Sequence, residues 1–275
     1  MDAAVVVEIS RQLEVLRLKE TVAIPLAIES GSRAWGFPSP DSDYDCRFIY
    51  VRKPERYLTL FPPRDVIELP MTAVLDINGW DLSKALKLLL KGNAVVIEWL
   101  TSPLTYIADE MFRAEALVLA EQVADRSAVM RHYHHLALGQ RRLLMGDDGS
   151  IKLKKLFYVL RPLLAYRWLE ARPHRVVAPM HFPTLCAEAD VPAPVLRQIE
   201  EQVARKAVSR EMGRGSAPPD LLQFAHAELA KAMPTSSPTS SAPEDGIRAA
   251  DQFFRRWIEK QSDRTLSTAP PHSPP

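Results

Sequence analysis

Gly31-Ser32 and Asp43-Tyr44-Asp45, separated by ten residues, have the residue types and spacing for chemistry at phosphorus. A glycine closing a strand lets backbone approach a phosphate, and a helix start behind it offers free N–H groups. The Ser32 hydroxyl can donate to a phosphate oxygen. Two aspartates at i and i+2 of one strand point the same way and repel each other unless a cation lies between them. Mg²⁺ suits such a pair, since it binds through a few carboxylates plus phosphate oxygens. Two such ions can activate a hydroxyl and stabilise the leaving group of an in-line displacement. Asp76, within Ala-Val-Leu-Asp-Ile, is the best third carboxylate, because an unpaired charge in that apolar setting is costly to bury. Asp81 is its rival, but a place at a helix start already gives Asp81 a capping role.

The elements that must position these groups can be read from periodicity. Residues 3–18 read as an amphipathic helix, with Val6, Ile9, Leu13 and Leu16 at helical spacing. Residues 22–28 read as a buried strand, followed by the turn 30–32 and a short helical piece over 33–35 that Gly36, Pro38 and Pro40 stop. Residues 42–51 alternate: Asp43, Asp45, Arg47 and Ile49 share one strand face, and Tyr44, Cys46, Phe48 and Tyr50 the other. Short strands are expected over 65–68 and 74–77, then a helix over 81–91 that Gly92 and Asn93 end. After Pro103 the pattern is helical, near 109–144, 151–171, 194–212 and 219–232, with no convincing strand. The expected fold class is therefore α+β, a small mixed sheet flanked by helices and then an all-α domain. The expected division is a catalytic domain over 1–105, a helical domain over 106–233, a flexible linker over 234–245, a C-terminal helix over 246–261 and a disordered tail over 262–275.

The order Gly31-Ser32, gap, Asp43-x-Asp45 and a later strand aspartate resembles the nucleotidyltransferase superfamily typified by DNA polymerase β. The string ESGSRAWGFPSPDSDYDCRFIYVRKPERYL (29–58) resembles a narrower branch, nucleotidyltransferases associated with RNA-repair ligases. DINGWDLSKALKLLLKGNAVVIEWLTSP (76–103) and KLKKLFYVLRPLLAYRWLE (152–170) extend the resemblance over most of residues 20–170. Many such sequences have Pro where this chain has Ala94, which bears on a helix start and not on the chemistry. The resemblance implies transfer of a nucleoside monophosphate from an NTP to an acceptor hydroxyl, an RNA end or a protein, with release of pyrophosphate. It implies that Gly31 and Ser32 hold the triphosphate, and that Asp43, Asp45 and Asp76 are catalytic ligands of Mg²⁺, with Mn²⁺ as a substitute. A functional link to an RNA ligase follows from the same resemblance. Protein AMP transfer is an alternative within the same chemistry, and a nucleotide-sensing or RNA-binding adaptor without turnover is an alternative outside it.

Plainer readings stand beside these. Asp43 and Asp45 can be solvent-facing residues paired with Arg47 or Arg33, although strands are poor in Asp and two on one face need a reason. Arg33 either neutralises triphosphate charge or pairs with Asp45. Trp35 can stack on a base, but the size of its ring favours the core. Lys84, one turn into its helix, is placed to reach the cleft, while Lys87 and Lys91 read as a solvated face. Over 151–170 an apolar seam (Leu153, Phe157, Leu160, Leu164, Trp168) lies opposite a stripe of Lys154, Tyr158 and Arg161. That stripe is either solvated or a contact for triphosphate or nucleic-acid backbone, and Pro162 kinks the helix without ending it. His132, His134 and His135 lack a carboxylate or Cys to complete a metal set and read as structural.

Composition narrows the classes. Lys and Arg number 35 against 34 Asp and Glu, a net charge of +1, so no global basic field marks a nucleic-acid coat protein. Cys46 and Cys186 have no Cys or His at ligand spacing, which fits a reducing compartment. There is no run of about 18 apolar residues and no basic leader before the first apolar stretch, so no membrane association and a cytoplasmic location are expected.

Overall fold

The computed structural model describes residues 1–144, 151–209, 213–215, 217–231 and 243–267. Helix α1 (Ala3–Glu20) begins where Asp2 accepts from the Ala4 N–H at 2.8 Å and ends at Thr21 in the left-handed region. Strand β1 (Val22–Ser30), the single turn α2 (Gly31–Trp35) and β2 (Tyr44–Arg52) follow, then β3 (Val66–Glu68) and β4 (Leu75–Asp81). With β5 (Thr105–Ala108) they form a five-stranded mixed sheet of order β3-β4-β2-β1-β5. β1 runs antiparallel to β2 and β5, β3 antiparallel to β4, and β2 parallel to β4.

Each sheet face has its own cover. α1 buries Ile9, Leu13 and Leu16 against Cys46, Phe48, Tyr50 and Ile77. The other face, with Leu26, Ile28, Ile49 and Val51, meets the helices that follow. β2 alternates as its sequence predicts, but β1 does not. Val22 and Ile24 pack with α1, whereas Leu26 and Ile28 pack on the opposite side. The β1–β2 register slips between Ala23 and Leu26, around Pro25, and one extra residue at a bulge turns the strand over.

β4 continues to Asp81, past the expected end at residue 77. Asn78-Gly79 ordinarily marks a turn, but Gly79 is here because a Cβ would come within 2.2 Å of the Phe48 ring. Asp81 then caps α3 (Leu82–Leu90), accepting from the Ser83 N–H at 2.8 Å. Asn93 does more than end that helix: its side chain accepts from the Val95 N–H at 2.9 Å and starts α4 (Ala94–Thr101). β5 joins the sheet just beyond Pro103, where no strand was expected.

Helices α5 (Glu110–Val123), α6 (Arg126–Leu144) and α7 (Leu153–Glu170) follow, then α8 (Phe182–Glu188), α9 (Ala193–Val208) and α10 (Pro219–Leu229). β6 (Ile151–Lys152) and β7 (Arg214–Gly215) form a two-residue ribbon too short to leave an alternation in the sequence. α7 runs through Pro162 as one helix, and Leu156, Phe157, Val159, Leu160, Arg161, Leu163 and Leu164 are all buried, so it is a central helix without a solvated face there. α11 (Glu244–Ser267) starts inside the expected linker and runs six residues into the expected tail. Residues 234–242 of the expected linker and 268–275 of the expected tail lie outside the described residues, as do 232 and 233. Among the described residues, no helix is long and apolar enough to cross a membrane.

Candidate active site

The parallel pairing of β2 with β4 makes Asp45 and Asp76 direct partners. The Arg47 guanidinium lies between their carboxylates: Nη2 donates to Asp76 Oδ2 at 2.6 Å and to Asp45 Oδ1 at 3.1 Å. Nη1 donates to the backbone carbonyls of Asp76 at 2.9 Å and Cys46 at 3.0 Å. The Asp45 and Asp76 side chains are 23% and 30% exposed, so the pair is open to solvent. The ion pair of Asp45 with Arg47 is thus real, as the plainer sequence reading had it, and it is shared with Asp76.

Gly31 closes the site from the β1 side. Its φ is +63°, and a Cβ on it would come within 2.1 Å of Asp45 Oδ2. The glycine is required both by its backbone conformation and by the approach of the carboxylate. Asp43 stands one residue before β2 and is exposed. Its carbonyl accepts from Arg33 Nε at 3.0 Å, and Arg33 Nη2 donates to the Ser42 carbonyl. Arg33 also lies over the Tyr44 ring, 3.9 Å from its centroid. Arg33 therefore holds the 42–43 backbone in place, a role neither sequence reading foresaw. Ser32 is buried, and its hydroxyl donates to Ser42 Oγ at 2.9 Å, which in turn accepts from the Ser39 N–H at 2.9 Å. The serine hydroxyl thus fastens the 36–43 loop onto α2.

Tyr158 comes from α7 to this side of the sheet. Its phenol pKa is raised, first by burial and then by the charges of Asp45 and Asp43, which places it beside the acidic groups. Trp35 meets Tyr158 edge to face at 5.2 Å, in keeping with a packing role for the indole. Arg161, also on α7, is held by a buried glutamate. It is 5% exposed, donates to Glu98 Oε1 at 2.7 Å and lies over the Trp35 ring at 4.3 Å. Lys84 is not at the acidic site. It follows the C-terminal end of β4, five residues and about 17 Å of strand beyond Asp76, and its Nζ donates to Asp65 Oδ1 at 3.0 Å. The reason is directional: α3 departs from the end of β4 opposite the one that carries Asp76. Lys154 lies in the first turn of α7, and its side chain is outside the described residues.

Glu29 is a functional candidate that the sequence reading missed. It is fully buried at the end of β1, accepting from the Asp45 N–H at 3.1 Å and from the Tyr106 hydroxyl. Burial pushes its carboxyl up to about 7 despite those two donors. The available signal was a lone charge closing the apolar run Leu26-Ala27-Ile28.

Among the described residues, no group of three His, Cys, Asp or Glu side chains is arranged to hold a metal ion. Asp45 and Asp76 are brought together across the β2–β4 pair, and Asp43 stands on the turn one residue before β2. The donor chemistry nonetheless fits a hard divalent cation: two open carboxylates already share one positive partner, and Gly31 lets Asp45 Oδ2 approach the turn that follows β1. His134 is accounted for by the Leu229 carbonyl, 3.1 Å from its Nε2, and Cys46 and Cys186 are buried free thiols.

Over residues 5–256 the chain matches the model of a family described as the RNA repair pathway DNA polymerase beta family. It is also 37% identical over 257 residues to uncharacterized protein YcgL of Bacillus subtilis (strain 168), covering 90% of this chain and 95% of that protein.

Proposed function

This chain belongs to the RNA repair pathway DNA polymerase beta family, within the nucleotidyltransferase superfamily, and from that membership we propose that it transfers a nucleoside monophosphate from an NTP to an acceptor hydroxyl. The acceptor class that follows from the family is an RNA end, and an RNA ligase is the functional partner it suggests. The observation that carries the reading is the in-register pairing of Asp45 with Asp76 beside the Gly31 turn.

In this reading the acceptor oxygen attacks the α-phosphorus, the bond from that phosphorus to the bridging oxygen breaks, and pyrophosphate leaves. The Asp76 carboxylate takes the hydroxyl proton. Asp45 and Asp76, with Asp43 from the preceding turn, would hold Mg²⁺ or Mn²⁺, which supplies charge neutralisation for the triphosphate and acidifies the acceptor hydroxyl. Gly31 and Ser32 cradle the β and γ phosphates, the Ser32 hydroxyl exchanging Ser42 for a phosphate oxygen. Tyr158 and Lys154 bring α7 to the nucleotide. Residues 1–105 thus supply the acids and residues 106–233 the helix that covers them.

The test is pyrophosphate release and product formation with each of the four NTPs against RNA ends, tRNA and protein acceptors. D45N and D76N should lower transfer by at least about 100-fold while leaving the melting profile in place. Full activity in both variants would sink the assignment. NTP binding with no product from any acceptor would favour the adaptor alternative.

A further inference from the structure

We propose that Arg47 is a built-in counter-ion of the Asp45–Asp76 pair, a positioning residue that holds the two carboxylates together and competes with a divalent cation for them. The inference rests on the functional reading of those carboxylates. Neighbouring strands lie about 4.8 Å apart, so like charges at in-register positions face each other and repel. Nη2 of Arg47 answers both, at 2.6 Å to Asp76 and 3.1 Å to Asp45. The Arg47 side chain is only 16% exposed, so solvent screens its charge weakly.

The other arm of the same guanidinium is bound to the carbonyl oxygens of Cys46 and Asp76. Those bonds are made to uncharged backbone and do not depend on the carboxylates. Arg47 is therefore tethered at the site by one arm while the other arm neutralises it. A cation that takes the Asp45 and Asp76 oxygens facing Arg47 must displace two charge-assisted hydrogen bonds, and a cation on their other oxygens still meets the arginine as a competing charge. This accounts for an acidic pair that is assembled and open to solvent yet already neutralised.

The experiment is Mn²⁺ binding to the full chain without nucleotide, read from the paramagnetic resonance signal of the free ion. R47Q should bind Mn²⁺ about tenfold more tightly than the wild-type chain, since hydrogen bonds to charged groups no longer have to be broken. Its melting temperature should be lower without the ion, and the ion should raise it more than it raises that of the wild type. Unchanged or weaker Mn²⁺ binding in R47Q would overturn the proposal. R47K keeps the charge and loses the fork, and it should fall between the two. If R47Q does not fold, R47K against wild type decides: tighter binding supports the proposal and equal binding overturns it. D45N separates this proposal from the reading beneath it. Loss of Mn²⁺ binding in D45N keeps the acidic pair as the ion's site. Retention at wild-type affinity removes that reading, and the role of Arg47 with it.

Discussion

At Gly31 a single added methyl group meets two obstacles. The backbone stands at φ +63°, which a residue with a Cβ adopts only at a cost, and the methyl would sit 2.1 Å from Asp45 Oδ2. Since a displacement of about 1 Å at a reacting centre can cost 100-fold in rate, G31A should lose about that factor in transfer, with a stability loss of about 1–2 kcal/mol. Paired kinetic and thermal-melting measurements check it. Transfer at the wild-type rate would show that Asp45 does not need its observed position. Residues of this kind were legible in the sequence: Gly31, Asp45 and Asp76 announce themselves by type and order. Arg161 and Lys84 did not, because a basic residue at helical spacing looks the same whether it faces a ligand, a buried glutamate or a surface aspartate. Only the partners Glu98 and Asp65 separate those cases.

At the level of elements, three strands are pinned together by one buried acid. Glu29, the last residue but one of β1, accepts from the start of β2 through the Asp45 N–H, and accepts from Tyr106 on β5. Its carboxyl titrates at about 7 in the folded protein against 4.5 as the ordinary value. The folded state therefore keeps a proton that the unfolded chain has already lost between those two pH values. Stability from this group is greatest below pH 4.5 and falls as pH rises through the window to about 7. The loss is about 3 kcal/mol by linkage. E29Q carries no such titration, so denaturant unfolding at pH 5 and pH 7.5 should show a smaller fall in stability for E29Q than for the wild type. Equal falls would mean that Glu29 is not the group responsible. The bulge at Pro25 belongs to this scale too. Strand periodicity read from residues alone assumes an unbroken pleat, and it cannot say that Ile24 and Leu26 face opposite sides.

Across the whole molecule, the chain's last described helix returns to its first half. α11 lays Phe253, Trp257 and Ile258 onto the main core, with Trp257 at 4.9 Å from Phe112 and its Nε1 donating to Glu115 Oε2 at 3.0 Å. Phe254 meets Tyr57 at 5.0 Å, close to the end of β2. W257A should accordingly destabilise the protein by about 3–5 kcal/mol, the range for emptying a large buried aromatic site, and chemical denaturation of the full chain measures it. A change below about 1 kcal/mol would show α11 to be an independent appendage. A second tie joins the helical half to the phosphate-side turn. The buried Lys206 on α9 donates to the Phe37 carbonyl, and Gly36 is pressed so closely by His181 and Pro183 that a Cβ would lie 2.8 Å from each.

The sequence by itself determined the order of the chemistry: a glycine-serine turn after a strand, two aspartates at i and i+2, a later strand aspartate and a helical second half. Such features are local, because side-chain period and turn chemistry act over a few residues. The tertiary structure alone decided which acids meet and what neutralises them. That Asp76 faces Asp45 depends on β4 running parallel beside β2, and that Arg47 lies between the carboxylates depends on both strands at once. Charge pairing is a property of distances across the sheet, and residues 29 positions apart in the chain carry no local record of it.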